Sequence, residues 1–108
     1  MLFFIFRIVT KLKSGQILFS RTAEGLICIT LYEVIKATTN TCELREIRKN
    51  IISQSYDEQE VVPEPGAYIS KPIRCKVTSA GAVEIKRDFY AWPWDGKSQW
   101  QAVIIFIP

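Results

Sequence analysis

The 108-residue chain contains no histidine. Without histidine, Ser-His and Cys-His nucleophilic catalysis, imidazole acid–base chemistry and most transition-metal sites are excluded. The sequence also has no glycine-rich phosphate loop and no GxSxG motif, which are common signatures of nucleotide-binding proteins and hydrolases. We therefore expect a protein that is not an enzyme, with no catalytic residues, no metal site and no cofactor.

The chain has few cysteines, and they are not closely spaced in pairs. The three cysteines, Cys28, Cys42 and Cys75, are an odd number, and no two of them form a CxxC motif. A disulfide scaffold or a structural zinc site needs closely spaced pairs. We interpret these residues as reduced thiols that serve as small apolar side chains. This interpretation predicts a cytoplasmic protein.

Long hydrophobic runs are also missing. The apolar stretches at the two ends, residues 1–6 and 102–107, are far shorter than the roughly 20 residues of a membrane-spanning helix. Residues 1–6 follow no basic region and precede no small-residue cleavage site, unlike a secretory signal. We expect no membrane partner and interpret both stretches as buried strands.

Basic and acidic residues are present in nearly equal numbers. Fourteen basic and eleven acidic residues leave a net charge of +3, and 48% of the residues are hydrophobic. Dedicated nucleic-acid binders usually carry a stronger and more clustered basic excess. Length and composition predict one globular domain over residues 1–108, large enough to bury a core without metals or disulfides.

The first third of the chain is rich in β-branched and aromatic residues. Residues 2–12 and 16–21 are separated by a Lys-Ser-Gly turn and predict an N-terminal hairpin. Residues 26–37 form a longer apolar run with no polar stripe. This run predicts a strand that is covered on both faces.

The pattern changes at residue 40. Asn40 and Glu43 have the spacing of a helix capping box. Apolar residues then recur at helical spacing, at Leu44, Ile47, Ile51 and Ile52. We predict one amphipathic helix at about 41–54, with an edge strand as the competing interpretation.

An acidic segment follows. Residues 55–66 contain four carboxylates, two prolines and a glycine but no base. Such a composition is typical of a surface loop. A solvated connection is the main interpretation, and a docking site for a basic partner is the alternative.

The last third predicts three strands, at residues 72–79, 83–92 and 98–107. Asp95 and Gly96 form a strong two-residue hairpin signal between the last two. The predicted fold is therefore α+β, a mostly antiparallel β-sheet with one amphipathic helix. The sheet consists of a C-terminal three-stranded meander and the N-terminal hairpin. An all-β sandwich or barrel is the alternative.

All three tryptophans lie between residues 92 and 100. With a two-residue turn at Asp95-Gly96, alternation places Trp100 on the core face. Tyr90, Trp92 and Trp94 then share the opposite face. The sequence is compatible with two arrangements, in which these three aromatic residues are packed under other residues or are at least partly exposed.

Basic residues extend the aromatic set. If residues 72–79 pair with 83–90, then Arg74, Lys76 and Lys86 share one outer face with Tyr90. The predicted partner-binding residues are therefore Tyr90, Trp92, Trp94, Arg74, Lys76 and Lys86. Exposed aromatics of this kind usually mark interaction sites.

The composition and this surface predict a small non-enzymatic module that binds an unidentified protein and acts by steric occlusion or tethering. Such a chain suits an inhibitor, immunity-type or accessory protein from a phage or another mobile element. A single-stranded DNA or RNA binder is the alternative, because aromatics among bases hold nucleic acid by stacking and phosphate contacts. Glu84 and Asp88 on the same surface count against it. A homodimer formed through the terminal hairpins is a further interpretation.

Overall fold

A computed structural model describes residues 12–22 and 25–103, and these residues form eight β-strands and no helix. The strands belong to one antiparallel sheet. The described residues therefore contain no helix long and apolar enough to cross a membrane. The strands are β1 Ile17–Thr22, β2 Cys28–Ala37, β3 Thr41–Gln54, β4 Glu58–Tyr68, β5 Ile73–Val77, β6 Val83–Lys86, β7 Phe89–Pro93 and β8 Gln99–Ala102.

Six of the strands close into a barrel. They are hydrogen-bonded in the order β2-β1-β7-β6-β5-β3, and the additional pairing of β2 with β3 joins the two ends. The alternative expectation of an all-β barrel is thus confirmed. The α+β prediction is wrong, because the predicted helix at 41–54 is β3.

The helical pattern in β3 results from a change of buried face along one strand. Cys42 and Leu44 point into the barrel core, whereas Ile47 belongs to a second cluster on the outer side. Residues of opposite parity point to opposite faces of a strand, so this switch imitates a three-residue helical step. The turn before β3 is built by Thr38, whose hydroxyl accepts the Thr41 N–H at 3.0 Å. The capping role predicted for Asn40 is therefore wrong.

The barrel interior is filled by hydrophobic side chains from all six strands, including the ring of Tyr32. Its fully buried members include Leu18, Val34, Leu44, Val83 and Ala91. β2 is covered on both faces, as predicted, because it also contributes side chains to the second cluster. The second cluster consists of Ile29, Leu31, Ile47 and Val61, with Ile17 and Phe19 packed against it.

β4 and β8 form the layer that covers the second cluster. β4 pairs with the second half of β3 and with β8. Val61 is its fully buried anchor. The surface loop predicted over residues 55–66 is therefore wrong for most of its length. Its prolines are accommodated at an irregularity, since Lys49 pairs with Pro63 but Ile47 pairs with Tyr68, and a bulged strand tolerates a missing N–H.

The predicted terminal hairpin is also wrong. β7 pairs with β1 and β6, and β8 pairs with β4. A strand has two hydrogen-bonding edges, and both edges of β7 are occupied, so β8 has no place beside it. Residues 2–11 of the first predicted strand (2–12) and residues 104–107 of the last (98–107) lie outside the described residues.

Candidate functional site

The outer surface of β5, β6 and β7 holds most of the predicted binding residues. Lys76 pairs with Glu84, and Glu84 pairs with Tyr90, so these three residues form one row across the strands. Directly opposed residues in antiparallel strands share a face. The pairings of β5 with β6 and of β6 with β7 therefore place Lys76 and Tyr90 on a common outer surface. Arg87 and Asp88 form the turn that separates β6 from β7.

Tyr90 and Trp92 are both exposed on this surface. They lie two residues apart on β7, and 38% of Tyr90 and 46% of Trp92 remain accessible to solvent. Between them Ala91 is fully buried in the barrel. The strand thus anchors itself through its small residue and displays its large ones.

A shallow depression adjoins the two aromatics. It has a volume of about 250 Å³ and is lined by Thr78, Ala82, Tyr90 and Trp92. We call these four residues the aromatic face. Thr78 and Ala82 were not among the predicted site residues. The alternation of Thr78 with Arg74 and Lys76 on one face of the predicted strand was the signal for Thr78, and nothing in the sequence singled out Ala82.

Trp94 has a different role from its neighbours. Its indole N–H donates to the Lys97 carbonyl at 2.7 Å, and its backbone N–H donates to the Ile17 carbonyl at 2.9 Å. The Asp95 carboxylate accepts the Lys97 N–H at 2.9 Å in the same turn. Trp94 therefore closes the turn that follows β7, next to the aromatic face and outside its lining.

The three predicted basic residues lie on β5 and β6, and acidic residues lie beside two of them. Arg74 is directly opposite Glu43 in the strand register, and Lys76 is directly opposite Glu84. The Lys86 ammonium lies 5.4 Å from the centre of the Phe89 ring, a cation–π distance. The basic part of the surface is thus a mixture of both charges beside the aromatic face.

Trp100 is not in the core, contrary to the prediction from the hairpin register. It lies in β8 and 44% of it is exposed. β8 pairs with β4 and places Trp100 opposite Glu60. The structure therefore has exposed tryptophans on two separate surfaces, Trp92 on β7 and Trp100 on β8.

Two of the three cysteines are inside the barrel, and the third, Cys28, is half-buried on β2. Cys42 and Cys75 are buried and face each other across β3 and β5 as free thiols. Burial, with a smaller contribution from Cys75, raises the pKa of Cys42 to about 11. A thiol in this state is mostly protonated at neutral pH and is a weak nucleophile. Residues 12–22 and 25–103 contain no group of three or more acidic or cysteine side chains placed to hold a metal ion.

Comparison with known proteins adds no relative. No model of a known protein family matches the chain, and neither the curated proteins nor the solved structures include one that matches it.

Proposed function

We propose that this protein is a non-enzymatic module that binds another protein through the aromatic face and the mixed charges beside it. The observation that supports the proposal is the exposure of Tyr90 and Trp92 side by side over a depression. Contiguous apolar surface on a soluble protein usually marks an interaction site. Tryptophan and tyrosine also supply a large share of the binding energy in protein interfaces.

The rigidity of the surface supports the same proposal. Tyr90 and Trp92 belong to a strand that is hydrogen-bonded on both sides, and the buried Ala91 holds it against the core. The backbone of such a strand is already ordered before a partner binds, so little binding energy is spent on ordering the backbone. Partner binding would then act by occlusion or tethering, as expected of an inhibitor, immunity-type or accessory protein in the cytoplasm.

The arrangement of charges favours a protein partner over single-stranded nucleic acid. Arg74 and Lys76 each have a glutamate directly opposite. Binding to nucleic acid depends on several uncompensated bases that neutralise phosphates, and these carboxylates would repel the phosphates instead. A protein partner can match both signs of charge.

The test is a comparison of two variants of exposed aromatic residues in affinity capture from an extract of the source cells. Tyr90→Ser combined with Trp92→Ser removes the aromatic face, and Tyr56→Ser is the control because Tyr56 is an exposed aromatic residue that does not line that face. We expect at least one protein to be captured by the wild type and by Tyr56→Ser but not by the double variant. The melting temperature of the double variant should stay close to that of the wild type, since neither side chain is in the core.

Two results would count against the proposal. One is a set of captured proteins that does not depend on Tyr90 and Trp92. The other is retention on single-stranded DNA or RNA at low salt that falls steeply with added salt and is lost in Lys76→Glu, which would indicate the nucleic-acid alternative.

A further inference from the structure

Trp100 lies at an edge of the sheet, away from the aromatic face. Among the described strands β8 pairs with β4 alone. The Val103 N–H donates to the Asp57 carbonyl at 3.0 Å, whereas the Ala102 N–H donates to the Ile27 carbonyl at 2.9 Å. Hydrogen-bonding direction alternates along a strand, so the N–H and C=O of Trp100 point away from β4, as those of Ala102 do. Ile27 occupies this edge at Ala102, whereas the main-chain N–H and C=O of Trp100 have no backbone partner among the described residues.

A depression of about 370 Å³ lies beside this edge. The exposed side chains of Trp100 and Leu26 supply apolar surface, and 60% of Leu26 is accessible. The charged residues of its lining are Arg21, Asp57 and Glu58. Apolar surface with charges beside it suits a long side chain that carries a charged end.

The local charge is negative. Glu60 and Glu58 pair with Trp100 and Ala102, so both carboxylates share the outer face with the indole. Glu60 accepts a hydrogen bond from the Ser98 hydroxyl, while the Glu58 carboxylate accepts none from any residue that the structure describes. Asp57 and Glu58 outnumber Arg21 in the lining, and the charge of Glu60 adds to theirs.

We propose that the Trp100 depression binds an arginine or lysine side chain on an extended segment of a partner protein. The segment passes Trp100 in an extended conformation and forms main-chain hydrogen bonds with the N–H and C=O of that residue. Its basic side chain lies over the Trp100 ring, which attracts cations, and its charged end reaches the Asp57 and Glu58 carboxylates. Charge complementarity identifies this occupant, because an acidic segment would meet carboxylates beside the tryptophan.

This site goes beyond the proposed function and is independent of it. The residues that line the Trp100 depression and those of the aromatic face have no member in common. Loss of Tyr90 and Trp92 therefore leaves binding at Trp100 intact, and failure at one surface leaves the other untouched.

Two-dimensional NMR of the ¹⁵N-labelled protein provides the test. The three indole N–H resonances are assigned with Trp→Phe variants and followed during titration with a Val-Arg-Val peptide blocked at both ends. We expect the Trp100 resonance to shift saturably, while those of Trp92 and Trp94 stay in place. A Val-Gln-Val peptide, which keeps the main chain but lacks the charge, should bind more weakly by about fivefold.

Three variants test the role of charge. Asp57→Asn combined with Glu58→Gln should weaken binding of Val-Arg-Val by about fivefold or more. Glu64→Gln is the matched control, because Glu64 is exposed on β4 but does not line the depression, and it should bind like the wild type. Arg21→Gln should strengthen binding by removing the one base of the lining.

The proposal is overturned if the Trp100 resonance does not respond to Val-Arg-Val, or if Val-Gln-Val binds equally well. It is also overturned if the Asp57/Glu58 double variant binds like Glu64→Gln. None of these outcomes depends on Trp100 substitutions that affect folding.

Discussion

Lys49 of β3 and Gln101 of β8 are joined by a hydrogen bond of 2.9 Å between the ammonium and the side-chain carbonyl, across 52 residues of sequence. The same Gln101 oxygen accepts the Ile29 N–H at 3.1 Å, and Lys49 also donates to the Ile29 carbonyl at 2.7 Å. The Gln101 amide nitrogen donates to Gln59 of β4 at 3.1 Å. One buried glutamine therefore ties the outer sheet to the barrel.

Replacement of Gln101 by alanine should loosen this connection. The change removes an acceptor for a buried N–H and for an ammonium group, so Gln101→Ala should lower the free energy of unfolding by about 2–3 kcal/mol. Urea denaturation measures the loss. Gln99→Ala is the matched control on the same strand, and its loss should stay below about 0.5 kcal/mol. Equal losses in the two variants would contradict the role assigned to Gln101.

A second prediction concerns the turn between β6 and β7. Asp88 has a φ of 59° and is the only non-glycine residue with positive φ in the described chain. Valine is strained in this left-handed conformation, so Asp88→Val should lower the free energy of unfolding by about 1–2 kcal/mol. Arg87→Val in the same turn is the control and should cost clearly less. Asp88→Gly should be neutral or slightly stabilising, and a large loss in that variant would refute the argument from φ.

The third prediction concerns alkaline pH. The Cys42 thiol has an ordinary pKa of 9.0, which burial raises to about 11 in the folded chain. Above pH 9 the unfolded chain releases this proton while the folded chain keeps it, so stability should fall as the pH rises toward 11. Burial also raises the pKa of Cys75 and of Tyr32, and both add to the fall with the same sign.

Melting temperatures measured between pH 7 and 11 test this dependence. In Cys42→Ala the curve should start lower at neutral pH, because a buried side chain has been shortened, but it should fall less steeply above pH 9. Parallel curves for the variant and the wild type would show that Cys42 does not contribute to the alkaline loss.

The positions of strands could be predicted where one pattern of burial extends over a whole segment. The alternation in residues 73–77 and the unbroken apolar run of β2 predicted both strands and the double coverage of β2. The pairing of β5 with β6 followed from their proximity in sequence. These signals are local, and local patterns are what a single sequence displays most clearly.

The predictions were wrong where the structure of a segment depends on strands that are distant in sequence. β3 contributes Leu44 to the barrel core and Ile47 to the outer cluster. No local sequence pattern indicates that one strand packs against two separate cores. Trp100 was assigned to the core on the assumption that β7 and β8 pair. The occupation of both edges of β7 by β1 and β6 is a property of the closed barrel and has no local signature.

The candidate site was predictable in part for the same reason. Tyr90 and Trp92 alternate with the small residue Ala91, which suggested one common face, and the structure leaves both exposed. The separate role of Trp94 depends on a hydrogen bond to Lys97 within a turn wider than the two-residue turn expected. Side-chain hydrogen bonds of this kind are not encoded in alternation.

The pairing of β1 with β7 has a consequence for how the molecule assembles. In the described chain the register pairs of these strands are Leu18 with Pro93 and Phe19 with Trp92, and the Trp94 N–H donates to the Ile17 carbonyl at the end of this short seam. The pairing joins an early strand to a late one, so the entropy of closing a long loop opposes it. We expect this short seam to form late in folding, after β1 has paired with β2 and β7 with β6.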